Sequence, residues 1–412
     1  MKPLVYLDNA ATTAVAPEVA GAMRPYLEQL YFNPSSMYGP AAGVAEAVKD
    51  ARQSVASLLG GVLPSEVLFT SCATESNNAA IFGAVRARKK RRHIITTAVE
   101  HPAVLEPCRD LQRQGWAVDF LPVDRHGRLD PAVFVRALRP DTLMVSIMHG
   151  NNETGVCFPI GNLARITKET SPEILFHTDA TQTVGKIPVD LTGDLANVDL
   201  LTFSAHKLHG PKGIGALFVR RSTPLRPLLL GGHQERGRRA GTENVAGIIG
   251  MGEACRLAAR HIDDADSIRA LRDRLQSALK ERIPWLEVSG IDAERLPGML
   301  SLACHFIEGE SMLAQLDEEG ICGSSGSACT SGSLEPSHVL SAMNLPFTAL
   351  HGSVRFSLSR YTTDAEIDRV IEVFPWIVSA LRRMSPYWDA SKGAPRPGVM
   401  EEAGESSDSC DP

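Results

Sequence analysis

The stretch LLTFSAHKLHGPKGIGALFVR, residues 200–220, contains two β-rich runs joined by a turn rich in glycine and proline. Four further β-rich runs precede it, with helical segments between them: EVLFT (66–70), HIITT (93–97), TLMVSIM (142–148) and ILFHTDA (174–180). Strands that alternate with helices in this way are typical of a mainly parallel sheet with helices on both faces. The sequence therefore predicts an α/β fold, with ligands bound beyond the carboxyl ends of the strands.

The length of 412 residues, 43% of them hydrophobic, suits two domains. We expect a large domain at residues 16–262, and a smaller α/β domain formed by residues 1–15 and 263–388. Residues 389–412 are poor in apolar side chains and rich in Ser, Gly, Pro and acidic residues. This composition predicts a disordered acidic tail.

Charge and hydropathy argue against several classes of function. The formal net charge is −6, whereas a nucleic-acid binder needs a basic face. No stretch approaches the roughly 20 apolar residues of a membrane span, and the N-terminus lacks a signal pattern. The eight cysteines are scattered singly, without the spacing of a zinc site. We therefore expect a cytoplasmic protein with free thiols, no metal of its own, and no nucleic-acid or membrane partner.

Two residues at strand ends indicate a pyridoxal 5'-phosphate cofactor. Lys207 follows a strand beside His206, and a partly desolvated lysine there has a lowered pKa and can form a Schiff base. Asp179 ends another strand, where a carboxylate suits a protonated pyridine nitrogen. Taken singly, Lys207 is equally well explained as a surface lysine, and Asp179 is better explained as a helix N-cap. The two together favour the cofactor.

The segment FTSCATESNNAAIFG, residues 69–83, predicts a cradle for the cofactor phosphate. It is typical of a strand and turn followed by a helix, whose N-terminal N–H groups bind anions. The candidate phosphate contacts here and beside the lysine are Ala73, Thr74, Ser204 and His206. The segment GGHQERGRRAGTEN, residues 231–244, contains three arginines and Thr242. It predicts a second loop that contacts an anion, with a solvated basic turn as the alternative.

Three polar residues at other strands are candidates for contacts with the ring or the substrate. His101 follows the run HIITT and could stack on the ring and move protons, although a histidine before a proline is more often a structural cap. Asn152 follows TLMVSIM and could bind a substrate carboxylate or the ring hydroxyl. Arg355 lies opposite the apolar face of a strand, where it suits bidentate binding of an α-carboxylate. A surface ion pair is its alternative role, and Arg360 is a second candidate.

The segment GICGSSGSACTSGSLEPSHVL, residues 320–340, surrounds Cys329 with serines and glycines and has no apolar periodicity. It predicts a flexible loop at about residues 322–334, in which an exposed nucleophilic thiol could move between two sites. A buried structural cysteine is not expected in such a setting. Cys322, at the root of the loop, is expected to pack instead.

Nine motifs together resemble those of the cysteine desulfurases, over about residues 4–388. They are YLDNAATT (6–13), TSCATES (70–76), EHPAV (100–104), NNETG (151–155), HTDATQTVGK (177–186), SAHKLHGPKGIG (204–215), RRAGTEN (238–244), SSGSACTSGSLEPSHV (324–339) and RFSLSRYTT (355–363). The strings are most similar to the class I, nitrogen-fixation branch, whose catalytic cysteine lies on a long loop. The resemblance implies aminotransferase fold type I. It also implies a homodimer in which Thr242 reaches the phosphate of the partner subunit's cofactor.

The resemblance implies a role for each site residue. These roles are the Schiff-base lysine for Lys207, the pyridine-nitrogen partner for Asp179, the ring-oxygen contact for Gln182, the stacking acid–base residue for His101, phosphate ligands for Thr74, Ser204 and His206, substrate holders for Asn152 and Arg355, and the sulfur acceptor for Cys329. Ala205 departs mildly from the family pattern, because glycine is common there.

The implied reaction converts L-cysteine to L-alanine and leaves a persulfide on Cys329. An iron–sulfur scaffold protein would then take the sulfur, and Cys329 would contact a cluster on that partner transiently. Maturation of nitrogenase, housekeeping cluster assembly and tRNA thiolation are all compatible with this chemistry. A selenocysteine lyase, an ordinary aminotransferase and a cofactor-bearing scaffold are the alternatives.

Overall fold

The computed structural model describes residues 2–88, 90–325 and 336–397. In these ranges the strands are β1 (Val5–Tyr6), β2 (Val67–Thr70), β3 (His93–Thr97), β4 (Ala117–Leu121), β5 (Thr142–Ser146), β6 (Leu175–Asp179), β7 (Leu200–Ser204), β8 (Gly215–Val219), β9 (Leu286–Val288), β10 (Met299–Cys304), β11 (Ile321–Cys322), β12 (Ser353–Ser357), β13 (Trp388–Asp389) and β14 (Ala394–Pro395).

The helices of the same ranges are α1 (Pro17–Glu28), α2 (Gly39–Leu58), α3 (Ala73–Ala87), α4 (Pro102–Arg113), α5 (Pro131–Ala137), α6 (Ile160–Thr170), α7 (Gln234–Gly237), α8 (Val245–Arg260), α9 (Ala265–Arg282), α10 (Gly309–Glu318), α11 (His338–Ala342), α12 (Phe347–Leu350) and α13 (Asp364–Met384). None of the described helices combines the length and the hydropathy that a membrane span requires.

A seven-stranded sheet has the order β2-β8-β7-β6-β5-β3-β4. Its neighbouring strands are parallel, except that β8 runs antiparallel to both β2 and β7. All six β-rich runs form strands of this sheet, which confirms the predicted α/β fold. The edge strand β4 was not predicted, because only two of its five residues are buried and its sequence lacks a continuous apolar run.

Alternation along the central strands sends their side chains into two separate cores. In β7, Leu201 and Phe203 join one core, and Leu200 joins the other. The first core also contains residues of α2, α6 and α8, and the second contains residues of α3 and α4. Both faces of the sheet are therefore covered, and the ends of its strands are left for ligands.

A second, antiparallel sheet has the order β12-β10-β9. Its core includes residues of α9, α10 and α13, together with Val5 and Leu7 from the N-terminal arm. The arm also pairs with the chain through β1, which runs parallel to β11. The segment that contains Cys329 follows β11, so it begins beside this arm.

The predicted disordered tail is wrong at its start, because β13 and β14 form an antiparallel hairpin. Trp388 accounts for this order. Its ring lies 5.8 Å from that of Phe306, and the guanidinium of Arg382 stacks 4.7 Å above it. Composition alone could not reveal these contacts with residues 6 and 82 positions away in sequence. Residues 398–412 lie outside the described part of the chain.

Candidate active site

A cavity at the carboxyl ends of the central strands brings together ten of the twelve predicted site residues. They are Ala73, Thr74, His101, Asn152, Asp179, Gln182, Ser204, His206, Lys207 and Arg355. Thr242 lines a different pocket, next to Ser71 and Arg239. Cys329 lies outside the described residues. The described ranges contain no group of three or more His, Cys, Asp or Glu side chains that could hold a metal ion.

Lys207 ends the short 3₁₀ turn that follows β7. Its Nζ donates to the backbone carbonyl of Ala11 at 2.7 Å, and also to that of Ala10. Gln182 donates through Nε2 to the same carbonyl of Ala10, at 2.9 Å. The amine is therefore directed toward the N-terminal segment at the cavity wall.

Asp179 ends β6 and is only 5% exposed. Its Oδ1 accepts from the N–H of Thr181 at 2.9 Å, which is a capping contact of the kind considered as its alternative role. Its Oδ2 accepts from Nδ2 of Asn77 at 2.7 Å. Asn77 was not predicted as a site residue. Its position one helical turn after Thr74 is the sequence signal that could have identified it.

The N-terminus of α3 fits a phosphate group. No side chain of the described residues caps this helix, and Ala73 and Thr74 in its first turn line the cavity. Uncapped N–H groups at a helix start attract anions. The start of α3 also lies against β8, where a Cβ on Gly215 would come within 2.7 Å of the Cys72 backbone. Glycine at this position therefore keeps the helix start beside the lysine segment.

Ser204 and His206, from the segment that contains Lys207, also line the cavity. Ser204 is 1% exposed, and its hydroxyl donates to the carbonyl of Ile214 at 3.4 Å. Nδ1 of His206 lies 3.1 Å from the hydroxyl of Thr12. Burial, together with the neighbouring Lys207 cation, lowers the pKa of His206 to about 4. His206 is therefore a neutral hydrogen-bonding group at neutral pH.

His101 is both a helix cap and a wall of the cavity. Its Nδ1 accepts from the N–H of Ala103 at 3.0 Å, at the start of α4. Burial lowers its pKa, and Lys207 adds to this effect although Asp179 opposes it. Since Nδ1 accepts a hydrogen bond, the neutral ring carries its proton on Nε2.

Arg355 lies on β12 and is 4% exposed. Its Nη1 donates to the carbonyl of Asn152 at 2.7 Å, and its Nη2 pairs with Asp8 at 2.8 Å. Four buried polar atoms of cavity residues have no hydrogen-bond partner in the described part of the chain: Nε of Arg355, Oγ1 of Thr181, and Oδ1 of both Asn77 and Asn152. Buried polar atoms are rarely left unpaired. The cavity therefore fits a polar ligand that would satisfy them.

The two flanks of the segment that contains Cys329 are attached beside the cavity. On one side, Ser324 exchanges two backbone hydrogen bonds with Arg355, at 2.6 and 3.1 Å. On the other, Nε2 of His338 lies 3.0 Å from the carbonyl oxygen of Glu100, the residue before His101. Ser324 and His338, on the two sides of residues 326–335, therefore lie close to predicted site residues.

Glu100 is a buried carboxyl group that the sequence did not indicate. One of its oxygens accepts from the hydroxyl of Thr97 at 2.8 Å and from the N–H of Met148 at 2.9 Å. The other oxygen is buried without a partner among the described residues. Burial raises its pKa from 4.5 to about 8, against the effect of those two hydrogen bonds, and Asp179 adds to the rise. Glu100 is therefore mainly protonated at neutral pH.

This raised pKa makes stability depend on pH, with a sign that follows from linkage. The neutral carboxyl is favoured in the folded state. Its contribution to the free energy of unfolding is therefore complete below pH 4.5 and is lost as the pH rises through 8. Glu100→Gln cannot ionise. The variant should melt at nearly the wild-type temperature at pH 5 and several degrees above it at pH 9. At pH 9 its free energy of unfolding should exceed that of the wild type by on the order of 4 kcal/mol.

Thermal denaturation of both proteins at the two pH values measures this difference. Glu106→Gln is the control, because Glu106 is exposed on α4 and pairs with Arg109. A gap between Glu100→Gln and wild type that is the same at pH 5 and pH 9 would contradict the prediction.

Comparisons with known proteins agree with this geometry. Residues 5–370 match the class-V aminotransferase family. A cysteine desulfurase of Trichormus azollae is 54% identical over 391 residues, which cover 95% of this chain and 96% of that protein. The cysteine desulfurase NifS of Azotobacter vinelandii is 51% identical over 395 residues, covering 96% and 97%.

Solved structures show the same fold. A NifS-like protein superposes with a TM-score of 0.86 at 38% identity, covering 92% of this chain and all of that one. SspA in complex with cysteine has a TM-score of 0.76 at 34% identity, covering 88% of this chain and 100% of the other. The predicted family, fold, enzyme class and cofactor are confirmed. The chain belongs to the class-V aminotransferases, and within them to the pyridoxal-phosphate-dependent cysteine desulfurases.

Proposed function

We propose that this enzyme transfers the sulfur of L-cysteine to Cys329 as a persulfide and then to an iron–sulfur scaffold protein, in the maturation of nitrogenase metalloclusters. One observation carries the proposal. The predicted cofactor and substrate residues other than Thr242 share one cavity, and the flanks of the segment that contains Cys329 are hydrogen-bonded to the backbone of Arg355 and of Glu100, next to His101. The name NifS, borne by a relative of 51% identity, supports the nitrogenase assignment. We also propose a cytoplasmic location, where thiols remain reduced.

The residues divide the work of holding the cofactor. Lys207 would bind it through Nζ, and Asp179, held by Asn77, would pair with the pyridine nitrogen. The first turn of α3 would bind its phosphate, with Ser204 and His206 as further donors. When bound, the cofactor supplies an electron sink for the carbon that bears the substrate amine.

Arg355 and Asn152 hold the substrate carboxylate. The guanidinium of Arg355 is held in place, because its Nη1 donates to the Asn152 carbonyl and its Nη2 donates to Asp8. Its buried Nε and the Asn152 side chain remain to be satisfied by a ligand. Lys207 or His101 then moves the proton at the substrate α-carbon. Both line the cavity. The amine of Lys207 can accept that proton, whereas the neutral ring of His101, with its proton on Nε2, can donate one.

Cys329 completes the transfer as a thiolate. It attacks the substrate sulfur, so an S–S bond forms as the C–S bond breaks. The electron pair of that bond stays on carbon, which takes up a proton and leaves as alanine. Cysteine and one enzyme thiol thus give alanine and one persulfide, and a thiol of the scaffold takes the outer sulfur by exchange.

The test is a single-turnover reaction of the holoenzyme with L-cysteine. Alanine should appear in a 1:1 ratio to a persulfide that peptide mass spectrometry locates at Cys329, and an added iron–sulfur scaffold protein should then acquire the sulfur. Formation of a keto acid without a persulfide would identify an aminotransferase. Turnover of selenocysteine alone would identify a selenocysteine lyase.

We further propose that the enzyme is a homodimer in which Thr242 contacts the phosphate of the partner subunit's cofactor. The separation of Thr242 from the cavity of its own chain supports this. So does a group of exposed apolar side chains around the α1–α2 connection, because large exposed apolar surfaces are usually interfaces. These side chains are Leu27, Leu30, Tyr31, Met37 and Tyr38.

A mixed dimer of Lys207→Ala and Thr242→Ala subunits tests the contact across the interface. The Thr242→Ala subunit keeps its own Lys207 and would take Thr242 from its partner, so that site should bind the cofactor with wild-type affinity. The Thr242→Ala homodimer should bind about tenfold more weakly, as expected for one lost hydrogen bond to a charged group. A mixed dimer no better than that homodimer would place the contact within one chain.

A further inference from the structure

Lys186 is a half-buried lysine, seven residues after Asp179, that takes no part in the proposed reaction. Its Nζ donates to Oε1 of Gln182 at 2.7 Å. No carboxylate in the described part of the chain forms a salt bridge with it. Burial lowers its pKa to about 7, and the cations of Lys207 and Arg355 add to this effect. Burying a cation without an acidic partner costs stability, so its position calls for a reason other than stability.

Among the described residues, no acidic group is found to offset the charge of Lys186. The titratable groups that interact with it electrostatically are Lys207, His206 and His209, from the segment after β7, and Arg355, from β12. All of them are cations or neutral rings. The hydrogen bond to Gln182 is therefore the favourable contact that its ammonium group makes.

Lys186 and Ala10 together fix which way the amide of Gln182 points. Oε1 of Gln182 accepts from Lys186, and Nε2 donates to the carbonyl of Ala10 at 2.9 Å. A flipped amide would place its NH₂ group against an ammonium and its oxygen against a carbonyl, and both contacts repel. The amide nitrogen carries two hydrogens, so one N–H remains after the bond to Ala10. Gln182 also lines the cavity.

We propose that Lys186 is a positioning residue that holds the Gln182 amide with an N–H toward the ring oxygen of the cofactor. This rests on the proposed role of Gln182 as the ring-oxygen contact. A cation on the amide oxygen polarises the amide and strengthens its N–H as a donor. Through that donor, Lys186 stabilises negative charge on the ring oxygen and so disfavours a proton on the neighbouring nitrogen of Lys207.

Absorption of the lysine-bound cofactor against pH tests this without measuring turnover. Lys186→Met should raise the midpoint of that titration by about 1 pH unit, because a weakened donor leaves the ring oxygen more basic. It should also weaken cofactor affinity about tenfold. Lys186→Arg keeps a charge and a donor, so its titration midpoint and its cofactor affinity should be close to those of the wild type. Lys49→Met is the control, since Lys49 is exposed on α2 and pairs with Glu46.

A double-mutant cycle with Gln182→Leu separates positioning from a general structural effect. If Lys186 acts through Gln182, the double variant should have the midpoint and the affinity of Gln182→Leu alone. Additive effects, or an unshifted midpoint in Lys186→Met, would overturn the proposal. If Lys186→Met does not fold, Lys186→Gln replaces it, because its amide can still donate but carries no charge. A wild-type protein without any lysine-bound cofactor would instead refute the proposed function.

Discussion

Lys207→Ala is expected to reduce kcat/KM for L-cysteine by on the order of 10⁴-fold or more. The reason is geometric as well as chemical. Nζ of Lys207 is held at the wall of the cavity by the carbonyls of Ala10 and Ala11, and the same cavity is lined by Asp179, whose carboxylate is held by Asn77. No other lysine in the described part of the chain donates to these two carbonyls. The variant should still bind the cofactor weakly through its phosphate, because the N-terminus of α3 is unchanged.

Borohydride reduction followed by peptide mapping measures the covalent part of this effect. Wild-type protein should carry the reduced cofactor at Lys207, and Lys207→Ala should carry none. Lys212→Ala is the matched control, because Lys212 is an exposed lysine in the turn directly after Lys207. We expect its activity to stay within about twofold of wild type. Label on Lys212 or Lys186 in the wild-type protein would show that the lysine has been misassigned.

The sequence predicted the position of the site because the site is built mostly from strand ends. Parallel strands bring their carboxyl ends to one edge, so polar residues after successive β-rich runs meet there whatever their separation in sequence. Asp179 and Lys207 line the same cavity for this reason, although each residue taken alone has an ordinary structural explanation. The capping contact of Asp179 is present, since one carboxylate oxygen accepts from the N–H of Thr181, and its role as partner of the pyridine nitrogen stays a proposal.

The contacts that the sequence could not predict have two physical causes. Some use the backbone: Ala10 and Ala11 accept from a lysine almost 200 positions away, and an alanine side chain gives no sign of that role. Others depend on burial, which sets the state of Glu100 and Lys186. An acid that is mainly neutral and a lysine with a pKa near 7 arise from desolvation by distant elements. Neither is visible in residue type or spacing.

Cys329→Ser is the second large effect that we expect. Alanine release from L-cysteine should fall by on the order of 10² to 10³-fold, because a hydroxyl is far less nucleophilic than a thiolate and cannot hold the sulfur. The absorption of the bound cofactor should be unchanged. Its proposed contacts come from Lys207, Asp179 and the start of α3, which are fixed by other parts of the chain. A persulfide should no longer be found on the protein.

Cys322 and Cys72 are the other candidates for the sulfur acceptor, and the structure gives a physical argument against each. Cys322 lies in β11, and burial together with the carboxylates of Asp317 and Asp8 raises its pKa, so it remains a thiol. Cys72 lines the cavity beside the proposed phosphate cradle and is held against β8. Cys322→Ser and Cys72→Ser should therefore release alanine within about threefold of wild type. A large loss in Cys72→Ser with normal turnover in Cys329→Ser would make the cavity cysteine the sulfur acceptor.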